Sequence, residues 1–384
     1  MESIRQLRHE LGHEHTLFVH LTLLPYLAGS KELKTKPTQS SVRELRATGI
    51  QPDFILARAD HPIQKELLKK IALFCDVDEE AVIPAPTVHS IYEVPLKFQE
   101  HHLAELIAKK LHLGKIKPRL KDWEDLVKKI RAKRTPLKIA LVGKYTGLDD
   151  SYLSVIESLK IACYHQGKNL ELLWIDSEKL EKRDTISWKL LKSAKGVIVP
   201  GGFGIRGTEG MMMTAKYCRE EKVPYLGLCL GMQIQTIEFA RHVLKDERFT
   251  SEEFDEQNRL GPDFYIIHFL PGQYKERDKG GTLRLGTYPC RLGKKTKVFQ
   301  LYGKELIEER HRHRYEYNNA FRKKLEKSGL VTGGIFPKGN LVEIVELKNH
   351  PFMMGCQFHP EFLSRPHKPH PLFQGFIKAS IGNK

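Results

Sequence analysis

The chain has 384 residues, with 63 Lys plus Arg against 47 Asp plus Glu, giving a formal net charge of +16. That length suits about two or three domains, and 40% apolar with 29% charged residues excludes a collagen-like or largely disordered chain. Six cysteines at irregular spacing, with no CxxC pair, exclude a secreted disulfide scaffold and point to a reducing, cytoplasmic setting.

In chain order, residues 16–26 read as a buried strand. The surrounding stretch 16–29 is broken by His20, Thr22 and Pro25, so neither a signal peptide nor a membrane span is expected. Residues 54–57 form a second strand, and 64–74 and 103–111 have the apolar spacing of amphipathic helices. Much of the positive charge sits in 115–134, with nine Lys or Arg against three acids. This segment reads as a linker with one short helix around 123–130, ended by Pro136. With no aromatic RNA-binding signature, zinc-finger spacing or basic region leading into heptads, the charge suits anionic metabolites rather than nucleic acid.

From residue 137 onward strands and helices alternate: strands at 138–143, 170–175, 196–200 and 225–228, helices at 152–165, 210–219 and 233–243. This alternation predicts an α/β fold with a parallel sheet and crossover helices. Further strands are expected at 265–269, 286–291, 341–346 and 352–359.

The strand at 225–228 runs into Gly227-x-Cys229-x-Gly231 and opens a helix. This is the layout of a nucleophile elbow with sulfur in place of oxygen. A thiol at a helix N-terminus is pushed toward the thiolate, although most free cysteines are simply small buried hydrophobes. A thiolate needs a base and a group to orient it. His359 and Glu361, two apart in an extended segment with Pro360 between them, supply both at the end of another strand. The glycines at 201, 202 and 204 follow a third strand and free backbone N–H groups for an oxyanion, with the N–H of Leu230 as second donor. Gly202, Gly204 and Gly207 also match a dinucleotide fingerprint, but the acidic residue that it requires ~20 positions on is missing. His311 and His313 suggest a metal, yet no further ligands stand at usual spacing, so no metal site is expected.

Together, Pro200-Gly-Gly-Phe-Gly204, Gly227-Leu-Cys-Leu-Gly-Met-Gln233 and His359-Pro-Glu361 resemble the class I glutamine amidotransferases. The strings beginning at Gly143, Gly280, Arg310 and Lys34 narrow this to a resemblance to the CTP synthase family. The resemblance implies a class I glutaminase domain at 137–384 with a mostly parallel sheet flanked by helices. A linker at 115–136 and the C-terminal part of a Rossmann-like amidoligase (synthase) domain at 1–114 precede it. It further implies that Cys229 attacks the amide of glutamine, His359 shuttles the proton and Glu361 orients His359. Gly202, Leu230, Gly231, Met232 and Gln233 would line the glutamine site, with Glu253 for the ammonium and Arg314 for the α-carboxylate. Lys34, Thr35, Lys36, Pro37, Thr38, Gln39 and Lys70 would contact the triphosphate of UTP or CTP. Arg206, Gly280, Gly281 and Arg284 would belong to a lid region linked to GTP activation. ATP and Mg, a homotetramer and no nucleic-acid or membrane partner complete the implied set.

The family also implies an opening segment with a phosphate-binding loop for ATP and acidic magnesium ligands. Neither occurs here, and the sequence opens at a point resembling the middle of the synthase domain. Glutamine hydrolysis is therefore the expected intrinsic chemistry. A regulatory paralogue binding UTP or CTP, or a γ-glutamyl hydrolase-like enzyme, stays open as an alternative.

Overall fold

A computed structural model describes residues 1–147, 149–269 and 283–383. The chain divides into two compact units, Met1–Ala132 and Lys133–Lys384.

In the first unit, strands Val19–Leu23, Phe54–Ala59 and Val82–Pro86 form a parallel sheet with Phe54–Ala59 in the middle. Helices Lys36–Ala47 and Lys65–Cys75 contribute Val42, Ile71 and Cys75 to a core with Ile55 and Ala57. Phe54, Ile83 and Leu103 form the core on the other side. The segment expected as a buried strand is instead a short edge strand, with Val19, Leu21 and Leu23 at 43%, 64% and 57% exposure. An unbroken apolar run reads as burial on both faces, but among the described residues the strand pairs with one neighbour, Phe54–Ala59. The connector helix, Lys121–Arg131, lies in this unit, where Arg131 reaches the buried Glu93 at 2.6 Å and Trp123 stacks on Tyr92.

The second unit is built on a nine-stranded sheet. Five strands are mutually parallel, in the order Met353–Cys356, Tyr225–Leu228, Gly196–Val199, Thr135–Gly143, Lys168–Asp176. Beyond Met353–Cys356, four strands continue the sheet antiparallel: Leu341–Leu347, Leu330–Phe336, Arg284–Leu292 and Leu306–His313. Helices Thr208–Glu220 and Leu230–Leu244 cover one face, and Leu153–His165 with Pro371–Gly382 the other. The central parallel strands are buried along their whole length, as expected of strands covered on both faces.

Strand register aligns three carboxyl ends. Gly227 pairs with Val199 on one side and Gly355 on the other, and Leu228 pairs with Cys356. Three neighbouring parallel strands thus end at the same level. They deliver the glycine loop, Cys229 and His359 to one edge of the sheet, where open α/β sheets place their sites.

Candidate active site

The turn at Cys229 is forced by close packing. Its backbone has φ 50° and ψ −102°, a strained conformation that persists only where surroundings over-determine it, at a cost of order 1–3 kcal/mol. A Cβ on Gly231 would stand 2.1 Å from the Val199 carbonyl oxygen, and one on Gly227 2.5 Å from the Gly231 carbonyl. The helix can therefore start immediately after the strand only if both positions lack side chains. The hydroxyl of buried Tyr225 donates to the Gly231 carbonyl at 2.8 Å and ties strand to helix.

Cys229 is 4% exposed at the floor of a cleft of about 410 Å³, lined also by Gly201, Gly202, Phe203, His359 and Glu361. A Cβ on Gly201 would lie 3.0 Å from His359 Cε1 and 3.6 Å from Cys229 Cβ, so the glycine loop passes against both side chains. His359 donates its backbone N–H to the Arg310 carbonyl at 2.8 Å. Its Nδ1 lies 2.8 Å from Glu361 Oε1, which leaves Nε2 for the sulfur. The His-x-Glu pair is not extended as the sequence suggests: Pro360–Phe362 is a 3₁₀ turn with His359 at its N-cap. That turn folds the carboxylate back beneath the ring, which also stacks on Phe362 at 5.4 Å. Burial pulls the His359 pKa down, but the Cys229 sulfur and the Glu361 carboxylate outweigh it and raise it to about 10.

Other predicted residues sit as follows. Leu230, Gly231, Met232 and Gln233 form the buried first turn of the helix after Cys229, with the N–H groups of Met232 and Gln233 donated to the Cys229 carbonyl at 3.1 and 3.2 Å. Glu253 Oε1 accepts the Gly204 N–H at 2.7 Å, so the residue expected to meet an ammonium also anchors the glycine loop. Burial raises the pKa of Glu253, while the Gly204 N–H, Lys144 and Arg314 pull it back. Arg206 pairs with Glu178, donates to the Lys144 carbonyl at 3.0 Å and lies over the Tyr145 ring. Gly280 and Gly281 lie outside the described residues. Arg284, expected in the lid region, is 7% exposed and bound to Glu316 at 3.2 Å and Glu343 at 2.6 Å.

In the first unit, Thr35 is the N-cap of the helix Lys36–Ala47, with Pro37 in its first turn, and Gln39 Nε2 donates to Thr35 Oγ1 at 3.1 Å. Lys34 bonds Glu32, and the charges of Lys34 and exposed Lys70 both act on that carboxylate. Lys34 and Lys36 flank the N-cap Thr35 in sequence. Thr38 turns inward, fully buried, with its hydroxyl 3.1 Å from that of Thr22.

Tertiary structure supplies a third group beside His311 and His313. Glu343, on a different strand, brings three potential cation ligands within 4.8 Å of one another. The group absent from the local spacing of His311 and His313 thus comes from a strand distant in sequence. The positive charge is nevertheless already provided, because Arg284 holds Glu343 and Glu316 together in the same buried cluster.

Two residues escaped the sequence reading. Lys144 is 4% exposed and donates to the Phe203 carbonyl at 3.1 Å and to that of Gly204, so it shapes the glycine loop from below. Burial lowers its pKa to about 8, with Glu253 opposing. Gln357, fully buried, donates to Cys229 Sγ at 3.6 Å. It stands two residues before His359, just past the end of Met353–Cys356, where no regular period signals its direction.

Residues 148–379 match the family described as "Glutamine amidotransferase class-I", and 1–113 match "CTP synthase N-terminus". A CTP synthase of Dehalococcoides mccartyi is 51% identical over 382 residues, covering 99% of this chain and 69% of the relative. One from Roseiflexus castenholzii is 52% identical over 381 residues, covering 99% and 68%. Among solved structures, the glutaminase domain of Trypanosoma brucei CTPS with bound acivicin superimposes with a TM-score of 0.58 at 33% identity, covering 65% of this chain and 95% of that one. Edge geometry, elbow and relatives agree: this chain belongs to the CTP synthase family, and its second unit is a class I glutamine amidotransferase.

Proposed function

We propose that Cys229, His359 and Glu361 carry out the glutamine hydrolysis, with the contact of His359 Nδ1 and Glu361 at 2.8 Å beside an elbow cysteine as the supporting observation. The thiolate adds to the carboxamide carbon of glutamine, and backbone N–H groups of Leu230 and Gly202 stabilise the oxyanion. The His359 imidazolium gives its proton to the departing nitrogen, ammonia leaves, and a thioester to Cys229 remains. Neutral His359 then takes a proton from water, hydroxide adds to the thioester, and glutamate and the thiol are released. Glu361 holds the ring in the tautomer that leaves Nε2 free. Glu253 and Arg314 grip the ammonium and α-carboxylate of the substrate.

The same reading puts the triphosphate of UTP or CTP at Lys34, Thr35, Lys36, Pro37, Thr38, Gln39 and Lys70, and GTP beside Arg206. It also carries a homotetramer, and a cytoplasmic setting that suits the six unpaired thiols. The residues present do not fit ATP and magnesium. After Leu23, Ala59 and Pro86 the strands of the first unit continue as Leu24-Pro25, Asp60-His61-Pro62 and Thr87-Val88-His89, without a glycine loop or a following Lys-Ser or Lys-Thr. Given glutamine, UTP, ATP and magnesium, this 384-residue chain is expected to release glutamate and to form no CTP. Chromatography of the nucleotides checks this, and CTP formation would overturn it.

The raised pKa of His359 sets the expected pH profile. At about 10, it keeps the imidazolium needed to protonate the leaving nitrogen through neutral pH, and that form is lost only as pH rises toward this value. In Glu361→Gln one of the two groups holding the proton is neutral. The alkaline limb of the kcat profile should then move down by about one or two units, read from initial rates of ammonia release. A limb left in place would remove Glu361 from its role.

A further inference from the structure

We propose that Gln357 is a second hydrogen-bond donor to the nucleophilic sulfur and that Gln233 locks it in the donating orientation. This rests on the reading of Cys229 as nucleophile. The side-chain amide of Gln357 is fully buried, and its Nε2 lies 3.6 Å from Cys229 Sγ. Its Oε1 accepts from Gln233 Nε2 at 3.3 Å, and the same Gln233 nitrogen reaches the Tyr315 backbone carbonyl at 3.4 Å.

The polarity of this relay is set at its far end. A backbone carbonyl only accepts, so Gln233 must present its NH₂ there. That NH₂ also meets Gln357, which must answer with its oxygen, and the NH₂ of Gln357 is thereby turned to the sulfur. An amide orientation that is otherwise a matter of assignment is fixed by one carbonyl. The backbone is held too, since the Gln357 N–H donates to the Glu343 carbonyl at 2.8 Å.

The chemistry is specific. A neutral N–H favours the thiolate over the thiol without adding a charge that would compete with the His359 imidazolium, so the ion pair between sulfur and imidazolium stays intact. Titratable groups facing the sulfur are His359 with Glu361 behind it, and Cys356 on the neighbouring strand, whose thiol burial pushes well up. Tyr145, Asp150, Tyr152 and Arg312 stand on the cleft wall.

The test is the pH dependence of Cys229 alkylation by iodoacetamide, followed by mass spectrometry on the full chain, together with kcat and KM for glutamine. In the native chain Cys229 should be alkylated ahead of the fully buried Cys218, and its midpoint is the reference for the variants. Gln357→Met, of similar length but without a donor, should raise the midpoint by about one unit and lower kcat about tenfold, with KM within about twofold. Gln357→Glu, which turns an acceptor to the sulfur, should raise the midpoint further. Should either variant fail to fold by circular dichroism, Gln233→Met, which frees the amide to rotate, is read on the same midpoint and should move it upward by less. Preferential alkylation of Cys229 with a midpoint that these variants leave unchanged overturns the role of Gln357 alone. Alkylation of Cys229 no faster than that of Cys218 overturns the nucleophile reading beneath it.

Discussion

Replacing Cys229 by alanine should lower glutamate release from glutamine by about 10⁴-fold or more, since loss of the nucleophile leaves only oxyanion and binding contributions. The fold should survive the change. Cys229 makes no side-chain capping bond to the helix it precedes, and the strained backbone is imposed by Gly227, Gly231 and the strand below rather than by the sulfur. Loss of stability should stay within about 1 kcal/mol, as for a small substitution that opens little space. Cys218→Ala, at a fully buried thiol elsewhere, serves as the matched control and should retain activity. Equal glutamate release from the native chain and Cys229→Ala would dismiss the assignment.

Arg284→Met should cost about 3–5 kcal/mol at neutral pH, the usual penalty for removing one partner of a buried ion pair. Glu316 and Glu343 are both 0% exposed in their side chains, and the guanidinium is shared between them. It also lies 4.4 Å from the Tyr288 ring centroid and 4.5 Å from that of Phe336, so cation–π contacts are lost with the charge. Burial raises the pKa of Glu343 to about 7, with Arg284 opposing. Between the ordinary value of 4.5 and about 7 the folded state keeps a proton that the unfolded chain has released. Stability from this group therefore falls as pH rises through that window. Without Arg284 the raised pKa climbs further, so the variant's deficit should be smaller at pH 5 than at pH 8 in urea titrations. Adding Glu316→Gln and Glu343→Gln to Arg284→Met should recover most of the loss. A flat pH dependence and no recovery would reject the ionic account.

The parallel half of the second unit was legible because burial on both faces leaves short apolar runs, as at Tyr225–Leu228 and Gly196–Val199, and glycines mark their ends. Cys229, His359 and Glu361 were legible because each follows such a run. Leu306–His313 was not, for a physical reason. Its inward residues are Ile307, Glu309, His311 and His313, so the alternation is charged against charged, and no hydrophobic period exists to detect. Helix Lys36–Ala47 was hidden by a mean composition too polar for an apolar stripe, since only Thr38 and Val42 are buried on it. The 3₁₀ turn at Pro360–Phe362 and the meeting of Glu343 with His311 depend on contacts distant in sequence, which local pattern does not encode. Lys144 and Gln357 lay inside strings already singled out, but their partners, Gly204 and Cys229, become visible only once three strand ends share a level.

The polar interior of Leu306–His313 has a further consequence. Shifting that strand by one position would turn Arg310 and Arg312 inward beside Arg284, and Glu309, His311 and His313 out to water, stacking like charges where none can be screened. An oily strand that slips still finds oil. This one finds repulsion, so its pairing with Arg284–Leu292 works like a keyed connector that seats in a single alignment, and it keeps Arg310 at the place where its carbonyl receives the His359 N–H.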